Sequence, residues 1–368
     1  MIRSGDILGK LRQIPLLALI MILAVGTIGV LMQYSAAGGD MRPWAAPHLA
    51  RFAAGVFIMI AVAMVPLKWL MRGSYFFYGG CLLLLVFVEV MGHMGGGAQR
   101  WIALGPLNLQ PSEMTKLAVI LMLARYLHAF PPLQYPGLKY LIVPVGLVIM
   151  PAVLILKQPN LGTTLIIMAV TGWILFAAGV RLRYFIIVIT LGLAAAPVAW
   201  HFMHDYQKQR VMTFLDPSQD PLGSGYNITQ SMIAIGSGGI NGKGFLKGSQ
   251  AQLDFLPEKQ TDFIFTMLTE ETGFIGGLTV LGLFTLLIWF SLGVALRCRN
   301  LFGSVMAQGV AAMLFFHMFV NTAMVMGMLP VVGLPLPLLS YGGSMQLSIM
   351  IGFGLMMNAW VNRDEKVK

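Results

Sequence analysis

Apolar runs of close to twenty residues recur along this chain of 368 residues, which is 57% hydrophobic and only 10% charged. A helix rises 1.5 Å per residue, so about twenty apolar residues match the ~30 Å hydrocarbon core of a bilayer. Inside that core every backbone polar group must be satisfied within the segment. The pattern therefore predicts an all-α, polytopic integral membrane protein and excludes a soluble fold. About ten transmembrane helices are read, near 14–33, 50–66, 74–92, 113–130, 138–156, 160–180, 183–201, 263–296, 303–327 and 344–361. The first run follows Arg3, Lys10 and Arg12 and precedes Ser35-Ala36-Ala37, as a cleavable signal would. Its length and the parity of the later spans argue for retention.

An amino terminus in the cytoplasm puts Lys68, Arg72, Arg125, Lys139, Arg181, Arg183, Arg297, Arg299, Arg363, Lys366 and Lys368 on that side. This is the asymmetry of the positive-inside rule, and an even number of spans returns both termini inside. The net charge of +10 is scattered over short loops, which fits topology and contact with anionic membrane lipids rather than nucleic acid. Cys81 lies within a span and Cys298 in a cytoplasmic loop, so no disulfide is expected. The whole of 1–368 reads as a single membrane domain. Between spans seven and eight it carries a large extracytoplasmic loop, 202–262, with Asp205, Asp216, Asp220, Asp254, Glu258 and Asp262 beside Lys208, Arg210, Lys243, Lys247 and Lys259. Such a concentration of both charges at one membrane face is the expected place of function.

Charges at membrane depth are costly and are kept for pairing or for function, which draws attention to Glu89, Glu113, Lys116, Glu270, Glu271 and His317. Glu113 and Lys116 share a helix face and can pair, either closing the outer end of span four or meeting substrate. Glu270 or Glu271 can cap or bridge to a neighbouring helix, and His317 suits an interhelical hydrogen bond. His201 and His204 lack a third ligand at a usable spacing, so zinc is not expected. The glycine-rich stretch 235–244 fails the Walker pattern because Gly244 follows Lys243. It reads as a re-entrant or surface-lying segment on lipid headgroups, with 228–235 supplying a short apolar face.

Several separated segments resemble the SEDS family (shape, elongation, division and sporulation) of peptidoglycan polymerases, over nearly the whole chain. They are Gly97-Ala98-Gln99-Arg100-Trp101-Ile102 with Gln110-Pro111-Ser112-Glu113 and Lys116; Lys157-Gln158-Pro159-Asn160-Leu161-Gly162-Thr163; Arg210 through Gly225 with Gln230-Ser231; and Leu334-Pro335-Leu336-Pro337 with Ser340-Tyr341-Gly342-Gly343-Ser344. The most specific is Phe255-Leu256-Pro257-Glu258 followed by Thr261-Asp262-Phe263-Ile264-Phe265. The chain is most similar to the elongation (RodA) branch. It departs from the family at Asn160, where aspartate is usual, and at Met345, where a second serine is usual. Asparagine keeps an acceptor oxygen and loses the charge, so an orienting role is expected to survive better than an acid–base one.

The resemblance implies a peptidoglycan glycosyltransferase that polymerises lipid II at the outer face of the bacterial inner membrane during cell elongation. It also implies a class B penicillin-binding protein transpeptidase as partner. A pyrophosphate leaving group needs no proton, so one general base is required, and Asp262 is the residue expected to serve. As an aspartate directly before a long helix it also fits an N-cap. Arg100, Lys116 and Arg210, with Glu258, are the expected substrate-binding residues, and Glu113 and Asn160 the orienting ones. A divalent cation, Mg or Mn, is compatible with Asp262 and Glu258, although no ligand spacing demands it. A lipid flippase or transporter, or a scaffold without catalysis, are the alternative readings.

Overall fold

The computed structural model describes residues 7–365, apart from 96–97, 105–106, 133–136, 204, 218–219, 221–222, 254 and 257. His204, Asp254 and the motif residues Gly97 and Pro257 fall outside the described residues.

After a short α1 (Ile7–Leu11), Pro15 precedes α2 (Leu16–Ala36), whose 21 residues reach about 32 Å. Pro66 separates α3 (Ala45–Met64) from α4 (Leu67–Met91), since proline cannot donate into a continuing helix. A small antiparallel sheet follows, made of β1 (His93–Gly95), β2 (Ala98–Leu104) and β3 (Leu107–Leu109) in that order. The all-α expectation is thus corrected at this one loop. Pro111 then opens α5 (Pro111–Ala129), where its missing N–H is no loss. Next come α6 (Leu138–Lys157), α7 (Leu161–Ala177), α8 (Leu182–Phe202), α9 (Asp205–Leu215), α10 (Ser224–Gly238), α11 (Ser249–Gln252), α12 (Ile264–Arg297), α13 (Leu301–Val325) and α14 (Gly343–Val361).

Among the described residues, seven helices are long and apolar enough to cross a membrane: α2, α3, α4, α6, α12, α13 and α14. Helices α7 and α8 are apolar but shorter in their apolar part. Helix α5 is buried from Pro111 through Ala124, including Ser112, Glu113, Thr115 and Lys116. Bonds within the helix, Thr115 to the Pro111 carbonyl and Lys116 to Glu113, and bonds with His317 and Asn160 of other segments satisfy those polar groups. Helix α14 packs against α3, α12 against α13, and α4 and α13 against α5. At the other extreme α8 exposes Leu182, Ile186, Ile187, Val188, Ile189, Leu191 and Leu193, the surface a lipid-facing helix needs.

Two ends of the bundle can be told apart. At one end Lys10 donates to Asn362 (3.0 Å), Arg299 N–H to the Arg363 carbonyl (2.8 Å) and Asn300 to the Glu365 carbonyl (3.0 Å), so both chain ends and the α12–α13 turn lie together. At the other end the sheet, the α6–α7 turn, the segment after α8 and the α13–α14 connection meet. Both free cysteines are as expected, with Cys81 buried.

Candidate functional site

The centre of the second end is the run 258–263, held on the irregular α13–α14 connection. Tyr341 N–H donates to the Gln260 carbonyl (2.8 Å), and Ser340 Oγ donates to the Thr261 carbonyl (2.6 Å) while accepting from Leu336 N–H (2.7 Å). From α13, Asn321 Nδ2 donates to the carbonyls of Asp262 (2.9 Å) and Leu334 (2.7 Å). From α2, Gln33 Nε2 donates to the carbonyls of Gln260 (2.9 Å) and Leu339 (2.8 Å). His48 on α3 bonds the Leu338 carbonyl (3.0 Å), which holds that leucine at φ 63°, a left-handed conformation unusual for its type. The same carbonyl lies so close to Gly29 of α2 that any Cβ there would collide with it.

Glu258 is also left-handed (φ 55°), and its turn is closed by Thr261, whose Oγ1 donates to Glu258 Oε2 (3.0 Å) and whose N–H donates to the Glu258 carbonyl (3.0 Å). Such strained backbone clusters where geometry is tightly determined. The Asp262 side chain lies in the field of Glu258 and of Arg210 on α9, with its carboxylate close to Gly333. Burial pushes its carboxyl up to about 6, the negative charge of Glu258 adds to the rise, and the Arg210 guanidinium opposes it. No N-cap bond from Asp262 is seen; Phe263 precedes α12 without a side-chain cap.

A second cluster lies in the buried helices. Glu113 and Lys116 form an ion pair (2.8 Å), and Lys116 Nζ also bonds His317 Nε2 on α13 (2.8 Å), with only 2% of the lysine side chain exposed. Ser348 on α14 donates to the Glu113 carbonyl (2.9 Å). His317 and Asn321 stand one turn apart on α13, so the Lys116 ammonium and the Asp262 backbone bind the same helix face about 6 Å apart along its axis. Arg100 on β2 donates to the carbonyls of Gln158 and Pro159, and Asn160 beside them caps α7 by accepting from Thr163 N–H (3.2 Å). Asn160 Nδ2 reaches Ser112 Oγ at 3.5 Å.

Asp262, Glu258 and Arg210 thus lie within electrostatic reach of one another, and Glu113, Lys116, Arg100 and Asn160 belong to the scaffold at the same end. Lys116 is enclosed by two side-chain partners rather than set on an open face. Of the residues that fasten the 258–263 run, Ser340 stands in a family-like segment of the sequence, whereas Asn321 and Gln33 lie outside all of them. Asn321 could have been found as a polar residue four after His317 in an apolar helix. Among the described residues no group of three or more His, Cys, Asp or Glu gathers as a metal site.

A bundle of helices long and apolar enough to cross a membrane, with a carboxylate and an arginine acting on each other at one end, defines a polytopic membrane protein with charged groups gathered at that end of the bundle. The chain belongs to the FtsW/RodA/SpoVE family of cell cycle proteins, whose model matches residues 15–365. It is 44% identical over 346 residues to the peptidoglycan glycosyltransferase MrdB of Escherichia coli K12, covering 94% of this chain and 93% of that one. Its fold is similar to a chain solved for the structural coordination of polymerization and crosslinking by a peptidoglycan synthase complex (TM-score 0.83, 29% identity, 96% of this chain and 99% of that chain). It is also similar to the rod shape determining protein RodA of Thermus thermophilus (TM-score 0.72, 28% identity, 95% and 97% covered).

Proposed function

We propose that this chain is a peptidoglycan glycosyltransferase that polymerises lipid II at the outer face of the inner membrane during cell elongation, with Asp262 as general base. The activity is supported by the relatives' names and by family membership. What supports the residue assignment is the place of Asp262 on the 258–263 run, its backbone held by Asn321 and its carboxyl in the field of Arg210 and raised to about 6 by burial. A base titrating just below neutral is ionised at working pH and still accepts a proton readily.

The acceptor sugar hydroxyl gives its proton to an Asp262 carboxylate oxygen as its own oxygen bonds the donor's anomeric carbon. The bond from that carbon to pyrophosphate breaks, and its electron pair leaves with the polyprenyl pyrophosphate. That leaving group needs no proton, so one carboxylate replaces the pair used by a glycosidase. A single displacement turns an α-linked donor into a β-linked product. Arg210 stabilises the charge developing on pyrophosphate, in the bidentate manner that suits arginine. In this proposal Lys116 contributes its field from within the bundle, and Arg100 and Asn160 hold the α6–α7 turn against the site. Glu258 and Asp262, two carboxylates whose like charges act on each other, are the residues that would hold a divalent cation. Such a cation, Mg or Mn, would neutralise charge on the leaving group.

The ten-span reading follows by adding α5, α7 and α8 to the seven long apolar helices. With ten spans the sheet, the α6–α7 turn, the 202–262 loop and the α13–α14 connection all fall on one face, and these are the loops that touch one another. Lys10, Arg12, Arg181, Arg183, Arg297, Arg299 and Arg363 gather at the opposite end, which makes that end, with both termini, cytoplasmic. The whole chain is then one membrane domain. A class B penicillin-binding protein is the proposed partner, in keeping with a structural relative from a complex that polymerises and crosslinks.

The test is to reconstitute the purified protein in liposomes with fluorescent lipid II, with and without the partner. Glycan ladders on gels are the expected product. Redistribution of lipid II between leaflets without polymer would instead establish transport, and neither activity would leave a scaffold.

A further inference from the structure

Helix α12 is not one helix. Its 34 residues would reach about 51 Å, far beyond a bilayer, and it breaks at Gly273 (φ 69°, ψ −165°). Residues 274–297 alone reach about 36 Å and suffice to cross. The preceding stretch 264–272 is a separate short helix, buried from Ile264 through Glu271, with Asp262 at its head.

A break frees backbone groups that must find partners. They find them in the glycine-rich stretch, the segment read from the sequence as re-entrant or surface-lying. Lys243 N–H donates to the Glu270 carbonyl (3.0 Å) and Gly244 N–H to the Glu271 carbonyl (2.9 Å). In return Phe274 N–H donates to the Gly239 carbonyl (2.9 Å) and Ile275 N–H to the Ile240 carbonyl (3.2 Å). Gly242 (φ 78°) and Gly273 face each other so closely that a Cβ on either would strike the other strand's backbone.

Side chains then close the join. Lys243 Nζ pairs with Glu270 Oε1 (2.7 Å), and the same oxygen accepts from Ser249 Oγ (3.1 Å) and Gln250 N–H (3.0 Å). Glu271 accepts from Ser35 at the end of α2, and Gln252 donates to the Ser35 carbonyl (3.2 Å). Glu270 is fully buried, whereas Lys243 keeps 28% of its side chain exposed.

We infer that Lys243 and Glu270 are positioning residues: their ion pair clasps segment 239–244 across the break in α12 and thereby fixes the short helix that presents Asp262. The inference rests on Asp262 being the general base. Without the ion pair, the join across Gly273, a permissive backbone position, is left to the four backbone hydrogen bonds of 239–244 and to the remaining bonds of Glu270 and Glu271. The loss falls on the chemical step rather than on binding of the lipid-linked donor, because a misplacement near 1 Å costs up to ~10²-fold in rate.

The experiment compares lipid II polymerisation and amide hydrogen exchange for wild type, Lys243→Ala, Lys243→Arg and Gly242→Ala. Lys243→Ala should lower kcat at least about tenfold with KM for lipid II within about twofold, and Lys243→Arg should restore most of the rate. Gly242→Ala, which opens the join sterically, should reproduce the loss. In both impaired variants the amides of 264–275 should exchange faster while those of α13 and α14 do not. A Lys243→Ala protein with wild-type kcat, or with unchanged exchange at 264–275, overturns the clasp. Wild type that makes no polymer overturns the base assignment instead, and the exchange comparison then still decides whether the clasp orders this helix.

Discussion

Lowering the pH should switch this protein off through Asp262, and changing its neighbours should move the switch in opposite directions. A base at about 6 is roughly 90% ionised at pH 7 and 10% at pH 5, so kcat/KM should fall about ninefold across that interval. Glu258 raises the Asp262 carboxyl and Arg210 lowers it, so Glu258→Gln should shift the acid limb to lower pH and Arg210→Ala to higher pH. The shift in Glu258→Gln has a ceiling. Return to the ordinary 3.8 would leave the carboxyl almost fully ionised at pH 5, so the variant would keep about tenfold more of its plateau rate there than wild type keeps of its own. Because burial is the larger cause of the rise, the observed gain should lie below that ceiling. The assay is initial-rate polymerisation of labelled lipid II between pH 4.5 and 8, each variant normalised to its plateau. A flat profile in folded wild-type protein, or a Glu258→Gln limb displaced upward, would refute the reasoning.

Lys116→Met should cost about 3–5 kcal/mol, because it strands the buried Glu113 carboxylate, whereas Glu113→Gln with Lys116→Met should regain most of that loss in thermal unfolding. Asn160→Ala should lose about 1 kcal/mol with the α7 cap, while Asn160→Asp keeps the acceptor and should unfold like wild type; equal losses would contradict the cap reading. Asp262→Asn should be at least as thermostable as wild type at pH 7.5. The folded carboxyl is raised from 3.8 to about 6, so wild type loses stability as pH rises through that window, and the two curves should converge below about pH 4.

The membrane architecture was legible because twenty-residue apolar runs have no soluble use, and the spacing of Glu113 and Lys116 on one helix face announced their pair. What the sequence withheld was long-range backbone contact. The embrace of Gly242 and Gly273 leaves no periodic trace; the trace that existed was a lone glycine inside a helical pattern, which signals close approach but not its partner. The small sheet was hidden because β1 and β3 have only three residues each and β2, Ala98–Leu104, shows no sustained alternation of apolar and polar residues. Asp262 was found through motif resemblance. The residues that hold it, Gln33, His48, Asn321 and Ser340, lie on four separate segments and became a group only once the chain was folded.

The most direct test of the central claim is polymerisation of lipid II by purified Asp262→Asn beside wild type, each with the transpeptidase partner and each shown to be folded by its melting curve. The account predicts glycan strands from wild type and none from the folded variant. Strands at a near-wild-type rate from Asp262→Asn would contradict it.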